Sequence, residues 1–108
     1  MINVIYHRNI NRVSVDGHAH SGEAGHDLVC ASVSILVYTL ASFVQNMKEA
    51  KQVYNPKTDL REGDALICCE PPSKYRNSVT LVFDSICGGF ELLARNYPEY
   101  VSFNMKGE

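Results

Sequence analysis

The sequence lacks the charge imbalance that would draw it to a polyanion. Ten Lys and Arg against twelve Asp and Glu leave a formal net charge of −2 over 108 residues. No global positive field gathers nucleic acid or an anionic membrane, so no direct nucleic-acid partner is expected. It also lacks the length for two cores: a chain of this size buries roughly two-thirds of its unfolded surface around one, and residues 1–108 are expected to form a single domain. The start, Met1-Ile2-Asn3-Val4-Ile5-Tyr6-His7-Arg8, has no charged segment leading into a long apolar core and a small-residue cleavage site. That pattern argues against a secretory signal, and a cytoplasmic location is expected. Internal repeats and low-complexity tracts are absent as well.

One apolar run, from Leu28 to about Lys48, approaches the length needed to cross a bilayer. Ser32, Ser34, Thr39 and Ser42 interrupt it, and residues 45–51 turn polar and charged. We therefore expect no membrane span. The pattern is that of a helix apolar on nearly every side, which predicts a buried central helix covered by a sheet on one face. A second helix or a second copy of the chain would cover the other.

Elsewhere the residues read in periods of two. Ile2, Val4 and Tyr6 alternate with Asn3 and His7, and after a turn over residues 7–11 Val13 and Val15 do the same, predicting two antiparallel strands that end near Gly17. Residues 49–64 are polar, with Pro56 and Gly63, and read as a connection. Ala65 to Cys69 is a short apolar strand, closed off by Pro71 and Pro72. Ser78 to Phe83 is β-branched and apolar and predicts a further strand. Asp84 or Ser85 then serves as the cap of a helix over 86–96, in which Gly88 and Gly89 mark a close approach of another backbone. Residues 100–105 alternate again and predict a final strand. The expected architecture is a two-layer α/β (α+β) domain, a mixed sheet with two helices in the order β-β-α-β-β-α-β.

The four cysteines stand at positions 30, 68, 69 and 87. Cys68 and Cys69 are adjacent and would point to opposite faces of a strand, which hinders a disulfide. With Cys87 they read as buried free thiols of a reducing compartment.

Cys30 departs from that pattern. The stretch Gly17 to Ser34 holds three of the four histidines and three of the seven glycines along with it. Asp27, directly before the apolar run, reads as the helix cap, which sets Cys30 in the first turn, where unpaired amides and the positive end of the helix dipole favour a thiolate. His18, twelve positions earlier, stands across a loop over residues 19–26 that carries two glycines and is expected to be flexible, so its imidazole can fold back to act as general base. Amides of the first turn would donate to an oxyanion on the attacked carbonyl. Ser34, four residues after Cys30, shares its helix face and either bonds locally or supports the site.

Gly17-His18-Ala19, Gly22 and Gly25, then Asp27-Leu28-Val29-Cys30-Ala31 with Ser34, together resemble the signature of the bacterial ribosomal-processing cysteine proteases. The resemblance rests on about a sixth of the chain. It implies an endopeptidase with a Cys-His dyad, carried over to Cys30 and His18, with Gly17, Asp27 and Ser34 at the motif's supporting positions. Ala19, Gly22, Gly25 and His26 fall on a loop that gates the substrate. The implied substrate is the N-terminal extension of the large-subunit ribosomal protein whose tail reaches the peptidyl-transferase centre. That extension is cut near paired aromatic residues, so the resemblance also implies a groove for Phe-like side chains, a role in ribosome maturation, and a homodimer. No cofactor and no metal are implied.

Two rival readings follow from the same residues. His18, His20, His26 and Cys30 are all zinc-ligand types, and zinc would silence the thiol as a nucleophile, although the spacings are common by chance and structural zinc takes more cysteine. A non-catalytic ribosome-associated module with Cys30 in its core is the other. His20 lies outside the family signature and is given no role.

Overall fold

The structure, a computed structural model, describes residues 1–17 and 26–107, His26 and Asp27 by backbone alone. The expected base His18, with Ala19, His20, Gly22, Gly25 and residues 19–25 of the expected flexible loop, lies outside the described residues; His26, expected on that loop, is instead the first residue of the long helix. Five strands and two helices follow one another as β1 (Ile2–His7), β2 (Arg12–Asp16), α1 (His26–Glu49), β3 (Tyr54–Arg61), β4 (Asp64–Glu70), α2 (Arg76–Asn96) and β5 (Val101–Lys106). The order of element types is the expected one, and the fold is α+β. The sheet runs β3-β4-β2-β1-β5. All its pairings are antiparallel except β1 with β5.

Period-two alternation sets which face is covered. Ile2, Val4 and Tyr6 of β1, Val13 and Val15 of β2, and Ala65, Ile67 and Cys69 of β4 are buried, while their neighbours are half-buried or exposed. α1 packs on β3 and β4, α2 packs on β5 and on the 3₁₀ turn Arg8–Ile10, and the helices pack on each other. Their buried residues join those of the strands in one core. The result is two layers, with the far face of the sheet uncovered by either helix.

The β1–β2 turn is locked by Asn11, which adopts a left-handed φ of 48° that asparagine tolerates better than most residues. It is 2% exposed, and its polar atoms are used: Nδ2 donates to Thr80 Oγ1 at 3.2 Å and its carbonyl accepts from the Cys69 N–H at 3.3 Å. Beside it the Tyr6 hydroxyl donates to Asp84 at 2.8 Å, and the Arg8 guanidinium grips both oxygens of that carboxylate at 3.0–3.3 Å. Burial and the Asp84 bond push the Tyr6 hydroxyl pKa up, while the Arg8 fork holds the Asp84 carboxyl below its usual value.

Two strand assignments move. Residues 78–83 are not a strand but the start of α2, because Val79, Phe83, Cys87 and Phe90 fall at helical spacing and are all buried. That continuous face outweighs the β-branched character of Val79, Thr80 and Val82. Asp84 and Ser85 are mid-helix and cap nothing; Asp84 serves Arg8, and the Ser85 hydroxyl donates to the Leu81 carbonyl at 2.7 Å. The missing strand is β3, inside the polar segment read as a connection. It is an edge strand, made by pairing with β4, and its polar residues, Pro56 and the register shift between Tyr54 and Lys57 are what a sheet edge tolerates. Gly89 does mark a close approach, to the Leu36 side chain rather than to backbone: a Cβ there would lie 2.8 Å from Leu36 Cδ2. Gly88 faces open space.

The long helix is not covered all round. Val29, Val33, Val37, Leu40 and Val44 are buried, but Leu28, Ile35 and Tyr38 are 60–61% exposed and Phe43 is exposed as well. α1 is long and apolar enough to cross a membrane by composition alone, yet one face of it is the centre of the core.

Candidate active site

Between α1 and the sheet, near the β3–β4 turn, lies a cleft of about 530 Å³. Its apolar surface comes from Ile2 of β1, Val15 of β2, Val33 and Val37 of α1, and Ala65 of β4. Leu60 and Arg61 at the end of β3 and the turn residues Glu62 and Gly63 wall one side, and Cys30, Ser34 and Tyr38 of α1 line another. Cys30 and Ser34 are one turn apart on the same stripe, so the sequence spacing brought them together as expected.

Gly17 reaches the cleft rim at the end of β2. Its N–H donates to the Gly63 carbonyl at 3.0 Å, tying the strand end to the turn that walls the cleft. Its φ is +107°, and any Cβ would collide with the Met1 carbonyl oxygen. Only glycine fits this position without strain, which gives the glycine before His18 a physical reason.

Two details of the helix start differ from expectation. α1 begins at His26, so Asp27 is its second residue rather than its N-cap, and Cys30 is its fifth. The thiol therefore stands one turn in, past the unpaired amides of the first turn. The first-turn amides therefore belong to residues that precede Cys30 in the chain.

The four thiols fall into distinct environments, all without disulfides. Cys69 and Cys87 are buried, and burial, the main cause in each, pushes both pKa values up to about 12. The neighbouring Cys68 and Glu70 add to the rise at Cys69, and Asp84 to that at Cys87. Both are core thiols, protonated at any ordinary pH. Cys68 is half-buried on the far face of the sheet, opposite Arg12 and Lys57. Cys30 is half-buried and opens on the Gly17 cleft.

Of the four zinc-type residues weighed from the sequence, only Cys30 has a described side chain. Among the described residues no group of three or more His, Cys, Asp or Glu could hold a metal. Tyr38, Leu60, Arg61 and Glu62 carry no signal of their own in the sequence, and Gly63 read only as part of a connection. Tyr38 stands eight residues after Cys30, a spacing that marks the same helix stripe; the wall belongs to the end of the strand that polar composition concealed and to the turn after it.

Comparison with known proteins assigns the family and the fold. Residues 1–102 match the family described as cysteine protease Prp. Among solved structures the chain is similar to SMU.848 from Streptococcus mutans, with 28% identity and a TM-score of 0.67 over 99% of this chain and 93% of that one. It shares its fold with an essential ribosomal processing protease Prp from S. aureus in complex with a substrate peptide, at 20% identity and a TM-score of 0.69 over 97% of each chain. The same S. aureus protease with a covalently linked product peptide is similar at 21% identity. No curated protein sequence matches.

Proposed function

The chain belongs to the cysteine protease Prp family, and from that membership we propose that it is an endopeptidase in which Cys30 is the nucleophile and His18 its base and proton donor. The observation that carries the proposal is the setting of Cys30: it is the thiol on the apolar cleft, while Cys69 and Cys87 are sealed in the core. His18 follows in the chain directly from Gly17, a residue of the cleft lining.

In the proposed reaction the imidazole of His18 takes the thiol proton and the Cys30 sulfur attacks the scissile carbonyl carbon. The tetrahedral intermediate collapses as the leaving amine takes that proton from the imidazolium, which leaves a thioester on Cys30. Water, deprotonated by the same imidazole, then adds to the thioester, and the sulfur departs with the proton returned. Gly17 supports the site by setting the chain direction into His18. Ser34 supports it from the next turn of α1, and Asp27 from the start of the helix. Ala19, Gly22 and Gly25 belong to the segment we assign to substrate gating, which ends before His26, the first residue of α1. No metal or cofactor enters.

The proposed substrate is the N-terminal extension of a large-subunit ribosomal protein, cut near paired aromatic residues. A cleft floored by Ile2, Val15, Val33, Val37 and Ala65 suits such side chains. The S. aureus protein of the same fold is a ribosomal processing protease, which supports this substrate class. The outward row Leu28, Ile35 and Phe43 on α1, none of them in the cleft lining, supports a homodimer, since such a row is ordinarily covered. We place the activity in the cytoplasm, where ribosomes are assembled. Incubation of the purified protein with the extended ribosomal protein from the same source tests the proposal. One defined cut near the aromatic pair is expected. An intact substrate, together with stoichiometric zinc in the protein, would overturn it.

A further inference from the structure

We propose that Tyr38 determines specificity at the far end of a groove that holds roughly three to four extended substrate residues on one side of the scissile bond, and that it takes an apolar or aromatic side chain there. The proposal rests on the endopeptidase reading of the Cys30 cleft and names a residue and a length requirement that the reading itself does not contain.

Cys30, Ser34 and Tyr38 stand at i, i+4 and i+8 on α1 and line the same cleft. At 1.5 Å of rise per residue, Tyr38 lies about 12 Å along the helix from Cys30. An extended chain advances about 3.3 Å per residue, so about three to four residues cover that distance. Along this path the floor is apolar, with Val33 and Val37 both buried. The opposite wall presents Leu60, 39% exposed, and then the polar Arg61 at the end of β3 and Glu62 in the turn. The cleft is thus an apolar trough with a polar rim, continuous with the proposed nucleophile at one end.

Tyr38 is 60% exposed although it lines a concave surface. It is not a core residue, and its ring is available to whatever occupies the trough. A tyrosine in that setting offers a rigid ring face for apolar contact at small entropic cost. Ser34, between it and Cys30, is too small to obstruct a peptide backbone lying along the stripe. An extended peptide held at Cys30 therefore meets Tyr38 only when it continues far enough in that direction.

The test uses synthetic peptides with two adjacent phenylalanines at the cut and zero to six residues on either side. For the wild-type protein kcat/KM is expected to rise with extension on one side and to level off after the third or fourth residue. Tyr38→Ala should lower kcat/KM about tenfold on peptides that reach it with a bulky apolar residue. It should leave the shorter peptides unchanged, and Tyr38→Phe should behave as wild type.

Binding of the same fluorescent peptides to Cys30→Ala and to the Cys30→Ala, Tyr38→Ala double variant repeats the comparison without chemistry. If no peptide is cleaved yet Tyr38→Ala weakens binding of the long ones alone, the endopeptidase reading fails and the groove stands. Equal losses at every length, an unchanged affinity for long peptides, or a loss explained by dissociation of a dimer in sizing experiments would overturn the role of Tyr38.

Discussion

The backbone N–H of Gly17 donates to the carbonyl of Gly63 at 3.0 Å, so the chain that leads into His18 is anchored to the turn that walls the Cys30 cleft. A hydrogen bond between two glycines thus joins the end of β2 to the β3–β4 hairpin. It links the two parts of the site that come from distant sequence.

Replacing Gly17 tests that link. At a φ of +107° an alanine is strained, and its Cβ would collide with the Met1 carbonyl. Gly17→Ala should cost about 2 kcal/mol or more, lowering the melting temperature by roughly 10 °C for a chain of this size. It should also reduce cleavage more than its stability loss alone explains. A melting temperature within a degree of wild type would show that the anchor does not matter.

Thiol labelling separates Cys30 from the two core cysteines. In the native protein near neutral pH, iodoacetamide should label Cys30, while Cys69 and Cys87, with pKa values pushed to about 12 by burial, stay unlabelled until the fold is lost. Peptide mapping by mass spectrometry reads the outcome. Native labelling of Cys87 ahead of Cys30 would contradict the assignment of the core.

Acid stability should depend on Asp84. Its carboxyl is held below the usual 3.8, first by the Arg8 bonds, which outweigh the opposing effect of burial, and to a lesser degree by the Tyr6 bond. A carboxyl depressed in the folded state adds stability that is complete above the unfolded value and is lost as pH falls through the lower folded one. Urea midpoints of the wild type should therefore drop more steeply than those of Asp84→Asn as pH falls from 5 to below 3.8, and Asp84→Asn should be the less stable at pH 7. Parallel pH profiles would remove Asp84 from the acid response.

The two glycines of α2 should respond differently to alanine. Gly88 faces open space in a helix interior, so Gly88→Ala should stabilise by about 0.5–1 kcal/mol. At Gly89 the new methyl must displace the Leu36 side chain, 2.8 Å from the Cβ position, and the same helical gain should be largely cancelled. Denaturant midpoints of the two variants decide this. An equal gain at both would mean that Leu36 moves freely.

Much of this architecture was legible because burial leaves a period in the sequence. Ile2, Val4 and Tyr6, Val13 and Val15, and Ala65, Ile67 and Cys69 alternate because the sheet has one covered face. β3 was hidden for the converse reason. As an edge strand with no fully buried residue it has little to show, and its pairing to β4 leaves no apolar pattern at Lys57, Thr58 or Asp59. The start of α2 was misread because β-branched residues carry a local preference that the long-range face at Val79, Phe83, Cys87 and Phe90 overrides.

At the site, local sequence carried Gly17, Cys30 and Ser34. Leu60 and Gly63 could not be seen to face them until β3 was known to be a strand. The outward side of α1 illustrates a further limit. Composition showed a helix apolar all round, but only the packing distinguishes the buried Val33 and Val37 from the exposed Ile35 and Tyr38.

The central claim is that Cys30 and His18 act together on a peptide bond. It is tested most directly by cleavage of the extended ribosomal protein by wild type, Cys30→Ala and His18→Ala, each first shown by circular dichroism to be folded. We expect wild type to remove the extension and both variants to lose at least about a thousandfold in rate. Cleavage near the wild-type rate by either folded variant would contradict the claim.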